Sequence, residues 1–294
     1  MPDREPVAWV TGAGGLLGHY VVAAAPRHAP GWRIVGLTRA ELDLTDRSEV
    51  ERLWQAGPPD LVIHCAAVSK AAQCEADPNR ARAVNVEATA HLAHLAANIP
   101  LIFLSTDNVF DGRKGWYRET DPVSPLTMYG RTKVEAEKAV LANPLHTVLR
   151  TSLNAGLSPS GDRSFLEETV TAWKSGTPLR LFTDELRCPI PASVTARAIW
   201  DLVGKSASGL YHVAGAERLS RWEIGQLLAA LYPELTPRCT AGSLRDYAGP
   251  ARAPDLSLDC SKVGALLSFP LPGFRSWLGS HPPPEVDNIW DPLA

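Results

Sequence analysis

The sequence has few cysteines, and their placement argues against a zinc site and against disulfide bonds. The five cysteines are scattered and form no C-x-x-C motif: Cys65, Cys74, Cys188, Cys239 and Cys260. A zinc site needs clustered Cys and His ligands, so we expect no metal. The N-terminus MPDREP runs straight into an apolar strand with no signal peptide, which indicates reduced thiols in a cytoplasmic protein.

Long apolar runs and an excess of basic residues are also missing. No run reaches the roughly 18 residues of a membrane span, and a formal net charge of -3 provides no basic face for nucleic acid. The 294 residues, 45% hydrophobic and 21% charged, are those of an ordinary globular protein. We therefore expect a protein that binds neither nucleic acid nor a membrane. A monomer or homodimer is expected as its assembly state.

Short apolar runs alternate with helical stretches through the first half of the chain. Strands are predicted at Val7 to Val10, Trp32 to Leu37, Leu61 to Ala67, Leu101 to Leu104 and Thr147 to Leu149. Helices are predicted near 15–25, 46–56 and 79–97 and from Ser124-Pro125 onward. Near-continuous apolar strands separated by helices predict an α/β fold with a doubly wound parallel (Rossmann) sheet, which binds ligands at the carboxyl ends of its strands.

The second half of the chain is less regular and holds most of the prolines, including Pro282 to Pro284, but Gly209 to Val213 is predicted as one more strand of the sheet. We assign residues 1–152 to a dinucleotide-binding domain, with returns at about 177–186 and 196–213. The residues at about 153–176, 187–195 and 214–294 are expected to form a smaller C-terminal substrate-binding lobe. The proline-rich tail is expected to lie on the surface.

A glycine-rich turn follows the first predicted strand. Residues 11–18 read T-G-A-G-G-L-L-G. Gly12 permits the sharp turn, Gly15 lets the backbone approach a pyrophosphate at the helix N-terminus, and Gly18 lets helix and strand pack closely. This context predicts a dinucleotide site that includes Gly12, Gly15, Leu16, Leu17 and Gly18.

The end of the second strand usually distinguishes the two nicotinamide cofactors. An acid there binds the ribose 2′-hydroxyl, whereas an arginine accommodates a 2′-phosphate. The strand ends in Thr38-Arg39 without an acid, which favours NADPH while leaving NADH open. Asp43 and Leu44 are expected near the adenine.

Tyr129 and Lys133 lie four residues apart on one predicted helix, so they share a face. Ketone reduction needs a proton donor beside the hydride donor, and a nearby ammonium lowers the pKa of a tyrosine. Ser105 and Thr106 place hydroxyls at the carboxyl end of the fourth strand, where Thr106 can bind a substrate carbonyl. This convergence predicts Thr106, Tyr129 and Lys133 as the catalytic centre of a nicotinamide-dependent reductase.

These motifs resemble those of the extended short-chain dehydrogenases and, within them, the dTDP-4-dehydrorhamnose reductase group. The resemblance covers most of the chain. It is carried by T-G-A-G-G-L-L-G (11–18), E-L-D-L-T-D (41–46), P-D-L-V-I-H-C-A-A (59–67), S-T-D-N-V-F-D-G (105–112), Y-G-R-T-K-V-E-A-E-K (129–138), V-L-R-T-S (148–152), G-L-Y-H-V-A-G (209–215) and R-A-P-D-L-S-L-D-C-S-K (252–262).

The resemblance implies a triad in which Tyr129 gives a proton to a sugar 4-ketone, Lys133 holds the nicotinamide ribose and Thr106 binds the ketone, with hydride from NADPH. Further cofactor contacts are implied at Cys65, Ala66, Ala67, Ser105 and Thr151. The substrate is then a small nucleotide-linked sugar, with contacts at Thr106, Asn108, Leu153 and Arg252.

Several positions depart from the family pattern. Asn108 stands where the family commonly has tyrosine, and Leu153 where it commonly has tryptophan. The segment 184–189 also differs from the small or glycine-containing turn of the family. The cofactor chemistry is thus expected to be intact and the sugar pocket altered.

Two alternatives stay open from the sequence. One is an epimerase or a reductase on another sugar or carbonyl substrate; Arg39 argues mildly against the epimerase. The other is a non-catalytic dinucleotide-binding regulatory subunit, such as the relative that supports methionine adenosyltransferase. The presence of Thr106, Tyr129 and Lys133 argues against that second alternative.

Overall fold

The computed structural model describes residues 4–281, so the expected surface position of Pro282 to Pro284 lies outside the described residues. The strands of the described part are β1 (Val7–Thr11), β2 (Arg33–Leu37), β3 (Leu61–His64), β4 (Leu101–Thr106), β5 (Thr147–Thr151), β6 (Asn154–Ala155), β7 (Leu179–Phe182), β8 (Leu186–Arg187), β9 (Ile190–Pro191), β10 (Gly209–Val213), β11 (Leu219–Ser220) and β12 (Cys239–Gly242).

Eleven α-helices are described in the same range. They are α1 (Leu16–His28), α2 (Arg47–Ala56), α3 (Ala71–Ala76), α4 (Pro78–Arg82), α5 (Ala88–Leu95), α6 (Met128–Leu141), α7 (Phe165–Lys174), α8 (Ala192–Gly204), α9 (Arg221–Leu231), α10 (Ser261–Gly264) and α11 (Phe274–Ser280). No helix between residues 4 and 281 is both long and apolar enough to cross a membrane.

Six strands form one parallel sheet in the order β10-β5-β4-β3-β1-β2. The chain reverses direction across the sheet between β1 and β3, and a doubly wound sheet binds ligands at such a switch point. The register places Thr11 beside Leu37 and His64, and Thr106 beside Thr151. The carboxyl ends of five strands therefore open on the same edge of the sheet.

Apolar cores cover both faces of the sheet. On one face, α1 and α8 pack together, and the indole of the buried Trp200 donates to the carbonyl of Val21 at 2.8 Å. On the other, α2, α5 and α6 surround Phe103, which is fully buried. Burial on both faces explains why the strands read as nearly continuous apolar runs.

The smaller lobe consists of short strand pairs and α7, α9 and α11 around a third apolar core. The prediction that residues 177–186 return to the dinucleotide-binding domain is wrong, because β7 pairs with β12 outside the six-stranded sheet. Along β7 only Phe182 is buried, and Arg180 on the same face of the strand is exposed. A central parallel strand is instead buried along its whole length, as β1 is.

Candidate active site

A cleft of about 900 Å³ lies at the carboxyl edge of the sheet, between the sheet and the smaller lobe. Every residue predicted to bind the cofactor lines it: Gly12, Gly15, Leu16, Leu17, Gly18, Thr38, Arg39, Asp43, Leu44, Cys65, Ala66, Ala67, Ser105, Tyr129, Lys133 and Thr151. Thr106, Asn108 and Leu153, predicted to touch substrate, line the same cleft. The sequence-derived site, apart from Arg252, is thus brought together in one place.

The glycine turn forms the floor of the cleft. Gly12 has a φ of +70°, and a Cβ there would lie 2.7 Å from the backbone nitrogen of Ala66. A Cβ on Gly18 would lie 2.2 Å from the carbonyl oxygen of Gly12, so α1 can approach β1 only with glycine at that position. Gly15 is the N-cap of α1, and no side chain caps the first turn of that helix. The cradle has the shape and free backbone donors that a pyrophosphate requires.

The end of β2 carries an acid that the sequence analysis missed. The carboxylate of Glu41 folds back and accepts a hydrogen bond from the backbone nitrogen of Thr38 at 2.7 Å. The hydrogen bonds from Thr38 lower the pKa of Glu41. Arg39 is largely exposed and lies 3.6 Å from the carboxylate of Asp43. Both charges therefore stand where a ribose 2′-substituent is expected.

Helix α6 carries Tyr129 and Lys133 and begins later than predicted. The N-cap is Thr127, whose side chain accepts from the backbone nitrogen of Gly130 at 3.1 Å, and the helix starts at Met128. Ser124 instead donates its backbone nitrogen to the carbonyl of Val109. The later start leaves Tyr129 in the first turn, at the mouth of the cleft.

Lys133 is buried, and its ammonium donates to the carbonyl of Leu104 and lies over the ring of Phe103. Burial lowers the pKa of Lys133 to about 7, and Glu137 acts in the opposite direction. Burial raises the pKa of the Tyr129 phenol, while the Thr106 side chain acts to lower it. The expectation that Lys133 lowers the pKa of Tyr129 is not met in this arrangement, because the ammonium is directed into the sheet.

The hydroxyl of Thr106 lies within a tight cluster at the end of β4. The side-chain nitrogen of Asn108 donates to Thr106 Oγ1 at 3.1 Å and to Asp107 Oδ1 at 2.8 Å. Thr106 in turn donates to Asp107 at 3.2 Å. The amide of Asn108 therefore serves neighbouring protein groups, in addition to facing the cleft.

A buried ion pair supports the cleft from below. Arg150 donates to Glu137 at 3.0 and 2.7 Å, and both side chains are about 5% exposed. Ser105 also donates to Glu137. A paired and hydrogen-bonded carboxylate on α6 ties this helix to β4 and β5, which fixes the height of Lys133 above the sheet.

Asn85 supports the cleft from behind its lining residues, and the sequence analysis did not identify it. It lies in a π-helical turn, Ala83–Glu87, that interrupts the long helix predicted over 79–97. Its side chain accepts from the backbone nitrogen of Val68 at 2.8 Å and donates to the carbonyl of Val68 and to Thr132. These bonds hold the loop after β3 against α6, and π turns often mark such functional positions.

The smaller lobe closes the far wall of the cleft with Leu153 and Phe165. The guanidinium of Arg221 lies 5.5 Å from the ring centroid of Phe165. Arg252, predicted to contact substrate, is not among the residues from 4 to 281 that line the cleft. It donates to Glu185 at 2.7 and 3.0 Å.

Comparison with known proteins gives consistent matches over nearly the whole chain. The RmlD substrate binding domain family matches residues 8–281. A dTDP-4-dehydrorhamnose reductase of Sinorhizobium fredii is 32% identical over 276 residues, which is 89% of this chain and 92% of that protein. Methionine adenosyltransferase 2 subunit beta of Xenopus laevis is 31% identical over 282 residues, 90% of this chain and 82% of that one.

A crystal structure shows the same fold. That structure is a dTDP-4-dehydrorhamnose reductase from Bacillus anthracis in complex with NADP, with a TM-score of 0.85, 23% identity and coverage of 95% of this chain and 98% of the other. The predicted doubly wound fold is thereby confirmed.

Proposed function

Because this chain belongs to the RmlD substrate binding domain family, as the sequence motifs predicted, we propose that it is an NADPH-dependent reductase of a nucleotide-linked sugar. The reaction is reduction of the 4-ketone of a deoxysugar similar to dTDP-4-dehydrorhamnose. The observation that carries the proposal is that Thr106, Tyr129 and Lys133 line the same cleft as the glycine turn.

The cleft fits a nicotinamide dinucleotide. Gly12 and Gly15 leave the space for a pyrophosphate, and the first turn of α1 supplies backbone donors. Thr38 and Arg39 stand at the end of β2 for the adenosine ribose. The Bacillus anthracis reductase of the same fold is in complex with NADP. When bound, NADPH would supply the hydride. NADH carries the same hydride and lacks only the 2′-phosphate, so it would differ in how tightly it binds.

The side chains of the cleft supply the remaining steps. Burial keeps the Tyr129 phenol protonated at neutral pH, so it is ready to give its proton to the ketone oxygen as the alcohol forms. The hydroxyl of Thr106 holds the ketone oxygen during that transfer. Lys133, with a pKa of about 7, exchanges protons near neutrality and can hold the ribose hydroxyls.

The decisive experiment is a spectrophotometric screen of NADPH oxidation against nucleotide-linked 4-keto sugars. We expect turnover of at least one dTDP-linked 4-keto-6-deoxysugar by the wild type and none by Tyr129→Phe. Oxidation that persists unchanged in Tyr129→Phe, or a wild type inactive on every member of the panel, would contradict the proposal.

A second function is supported by the similarity to methionine adenosyltransferase 2 subunit beta. In that case the fold binds a dinucleotide and regulates a catalytic partner without reducing a sugar. A wild type that binds NADPH, reduces no sugar and changes the activity of a methionine adenosyltransferase would favour it. The three intact side chains of the cleft favour the reductase.

A further inference from the structure

Asp107 is a buried acid surrounded by donors. It is 3% exposed. Its Oδ1 accepts from Asn108 at 2.8 Å and from Thr106 at 3.2 Å, and its Oδ2 accepts from the hydroxyl of Ser152 at 2.8 Å. Three donors thus point at its two oxygens, an arrangement that stabilises the carboxylate form.

The carboxylate orients Thr106 through Asn108. The amide nitrogen that donates to Asp107 also donates to Thr106 Oγ1 at 3.1 Å, and the backbone nitrogen of Asn108 donates to the same oxygen at 3.2 Å. With both lone pairs of its oxygen engaged, the hydroxyl of Thr106 can act only as a donor, and its proton is directed to Asp107 Oδ1 at 3.2 Å. If Asp107 lost its charge, it would hold the amide of Asn108 less firmly, and the hydroxyl of Thr106 would no longer be oriented.

Arg187 approaches Asp107 from the other lobe. Its Nε lies 3.9 Å from Asp107 Oδ2, and its side chain is 8% exposed. The guanidinium is fixed by the carbonyls of Leu186 and Ala253, at 2.9 and 3.2 Å, and by Glu185 at 3.2 Å. These protein contacts fix the guanidinium at a constant distance from Asp107.

We propose that Arg187 is a positioning residue: from the smaller lobe it keeps Asp107 a carboxylate, and through Asn108 it fixes the hydroxyl of Thr106. The role rests on the proposed function, since it is the ketone reduction that needs this hydroxyl. Arg187 thereby makes the reactive geometry depend on the docking of the smaller lobe against the sheet.

The charges around Asp107 agree with this role. Burial raises the pKa of Asp107, and Arg187 opposes burial most strongly, followed by Ser152, Thr106 and Asn108. Tyr129 and Cys188 also face the carboxylate, whose charge adds to the effect of burial in raising the pKa of both. Removal of Arg187 therefore raises the pKa of Asp107 further and favours the neutral acid.

The kinetic test compares Arg187→Gln with Arg187→Lys in pH profiles of kcat. For Arg187→Gln we expect kcat at neutral pH to fall by about 10- to 100-fold and KM to change less. The acid limb of the profile, where kcat falls as Asp107 takes up a proton, should move to higher pH. Arg187→Lys keeps the charge and should return this acid limb to its wild-type position, and in an Asp107→Asn background Arg187→Gln should not move it, because the group that titrates is gone.

Arg218→Gln is the matched control, since Arg218 pairs with Asp255 at 3.0 Å in the same lobe and has no role in the cleft. It should leave the profile as in the wild type. An acid limb that stays in place in Arg187→Gln, or that moves equally in Arg218→Gln, would overturn the proposal. The proposal would also be overturned if Arg187→Lys had the acid limb of the wild type but a kcat as low as that of Arg187→Gln.

A second measurement needs no turnover. In protein labelled with ¹³C at aspartate carboxyls, the signal lost in Asp107→Asn reports the titration of Asp107 directly. We expect it at higher pH in Arg187→Gln than in wild type, Arg187→Lys and Arg218→Gln. If the wild type reduces no sugar yet this shift occurs, the proposed function fails while the hold of Arg187 on Asp107 stands. Identical titrations in all four proteins refute that hold, whatever the activity. If Arg187→Gln does not fold, Arg187→Met, which also removes the charge, replaces it in both measurements.

Discussion

The ammonium nitrogen of Lys133 lies 3.8 Å from the centroid of the Phe103 ring, within the sheet edge and away from water. A charge in such a place is costly unless it is paired, and its hydrogen bond to the carbonyl of Leu104 offsets the cost only partly. The position is therefore one where stability is lost to keep a functional group.

The first prediction concerns this cost. Burial lowers the pKa of Lys133 from its ordinary 10.5 to about 7, so between these values the unfolded chain holds a proton that the folded protein lacks. Stability then rises with pH through this window, and below about pH 7 the full penalty is present. Lys133→Met should raise the free energy of unfolding at pH 6 by about 1–4 kcal/mol, with a smaller gain at pH 9.

Urea denaturation at the two pH values measures the effect. Lys138→Met, an exposed lysine on the same helix, is the control and should change stability little at either pH. A Lys133→Met protein that is less stable than wild type at pH 6 would show that the buried charge is well compensated.

The second prediction separates the roles of the two helical side chains. Tyr129→Phe should lower kcat by at least about 10²- to 10⁴-fold, because it removes the proton donor, while cofactor affinity stays nearly unchanged. Lys133→Ala should damage both turnover and cofactor binding. Single-turnover kinetics and fluorescence titration with NADPH measure the two quantities, and equal damage to cofactor binding in both variants would refute the division of roles.

The third prediction concerns cofactor choice. Arg39 should make NADPH bind more tightly than NADH by about 10- to 150-fold, the value of one charge-assisted contact to the 2′-phosphate. Glu41 places a negative charge on the nitrogen of Thr38 at the same point, so Glu41→Gln should widen the preference. Glu51→Gln on α2 is a control that should not. Equal affinities in the wild type would refute the assignment of Arg39.

The fourth prediction is loss of stability in acid. Burial lowers the pKa of His64 to about 3 and that of His212 to about 4, so both stay neutral in the fold while the unfolded chain takes up protons below 6.5. From pH 6.5 to 5 the free energy of unfolding should fall by about 2 kcal/mol for each. His212→Gln should flatten the slope and His94→Gln, an exposed site, should not; equal slopes in all three proteins would place the acid sensitivity elsewhere.

The sequence predicted the parts of the fold that depend on local pattern. Apolar runs located the six sheet strands, and the glycine spacing located the turn into α1, because periodicity and backbone freedom are properties of neighbouring residues. The break in the long helix at Ala83–Glu87 depends on Asn85 bonding to Val68, seventeen residues away. Such a contact leaves no periodic trace.

The site shows the same division. Residues at strand ends could be grouped in advance, because the carboxyl ends of parallel strands meet at one edge. The bridge from Arg187 to Asp107 and the pair of Glu137 with Arg150 could not, because each joins segments whose contact follows from packing of whole elements. The return of Glu41 to Thr38 was hidden for a different reason: a three-residue turn decides it.

The last prediction concerns the sugar pocket. Asn108 and Leu153 stand where the family commonly has large aromatics, and the structure gives the two positions different weight. The amide of Asn108 holds Thr106 and Asp107, whereas Leu153 packs beside Phe165 on the cleft wall. Leu153→Trp should raise kcat/KM for a dTDP-linked 4-keto-6-deoxysugar by about 2- to 13-fold through stacking worth about 0.5–1.5 kcal/mol.

Asn108→Tyr should instead lower kcat, because the phenol cannot replace the amide that donates to Thr106. Steady-state kinetics of both single variants and the double variant decide the matter, with Leu153→Ala as the variant that enlarges the pocket. If Leu153→Trp has no effect and the wild type is already efficient, Phe165 fills the space of the missing aromatic and the pocket has not diverged. If Asn108→Tyr raises kcat, the amide does not hold Thr106 for the reaction, and the family tyrosine has a role that Asn108 lacks.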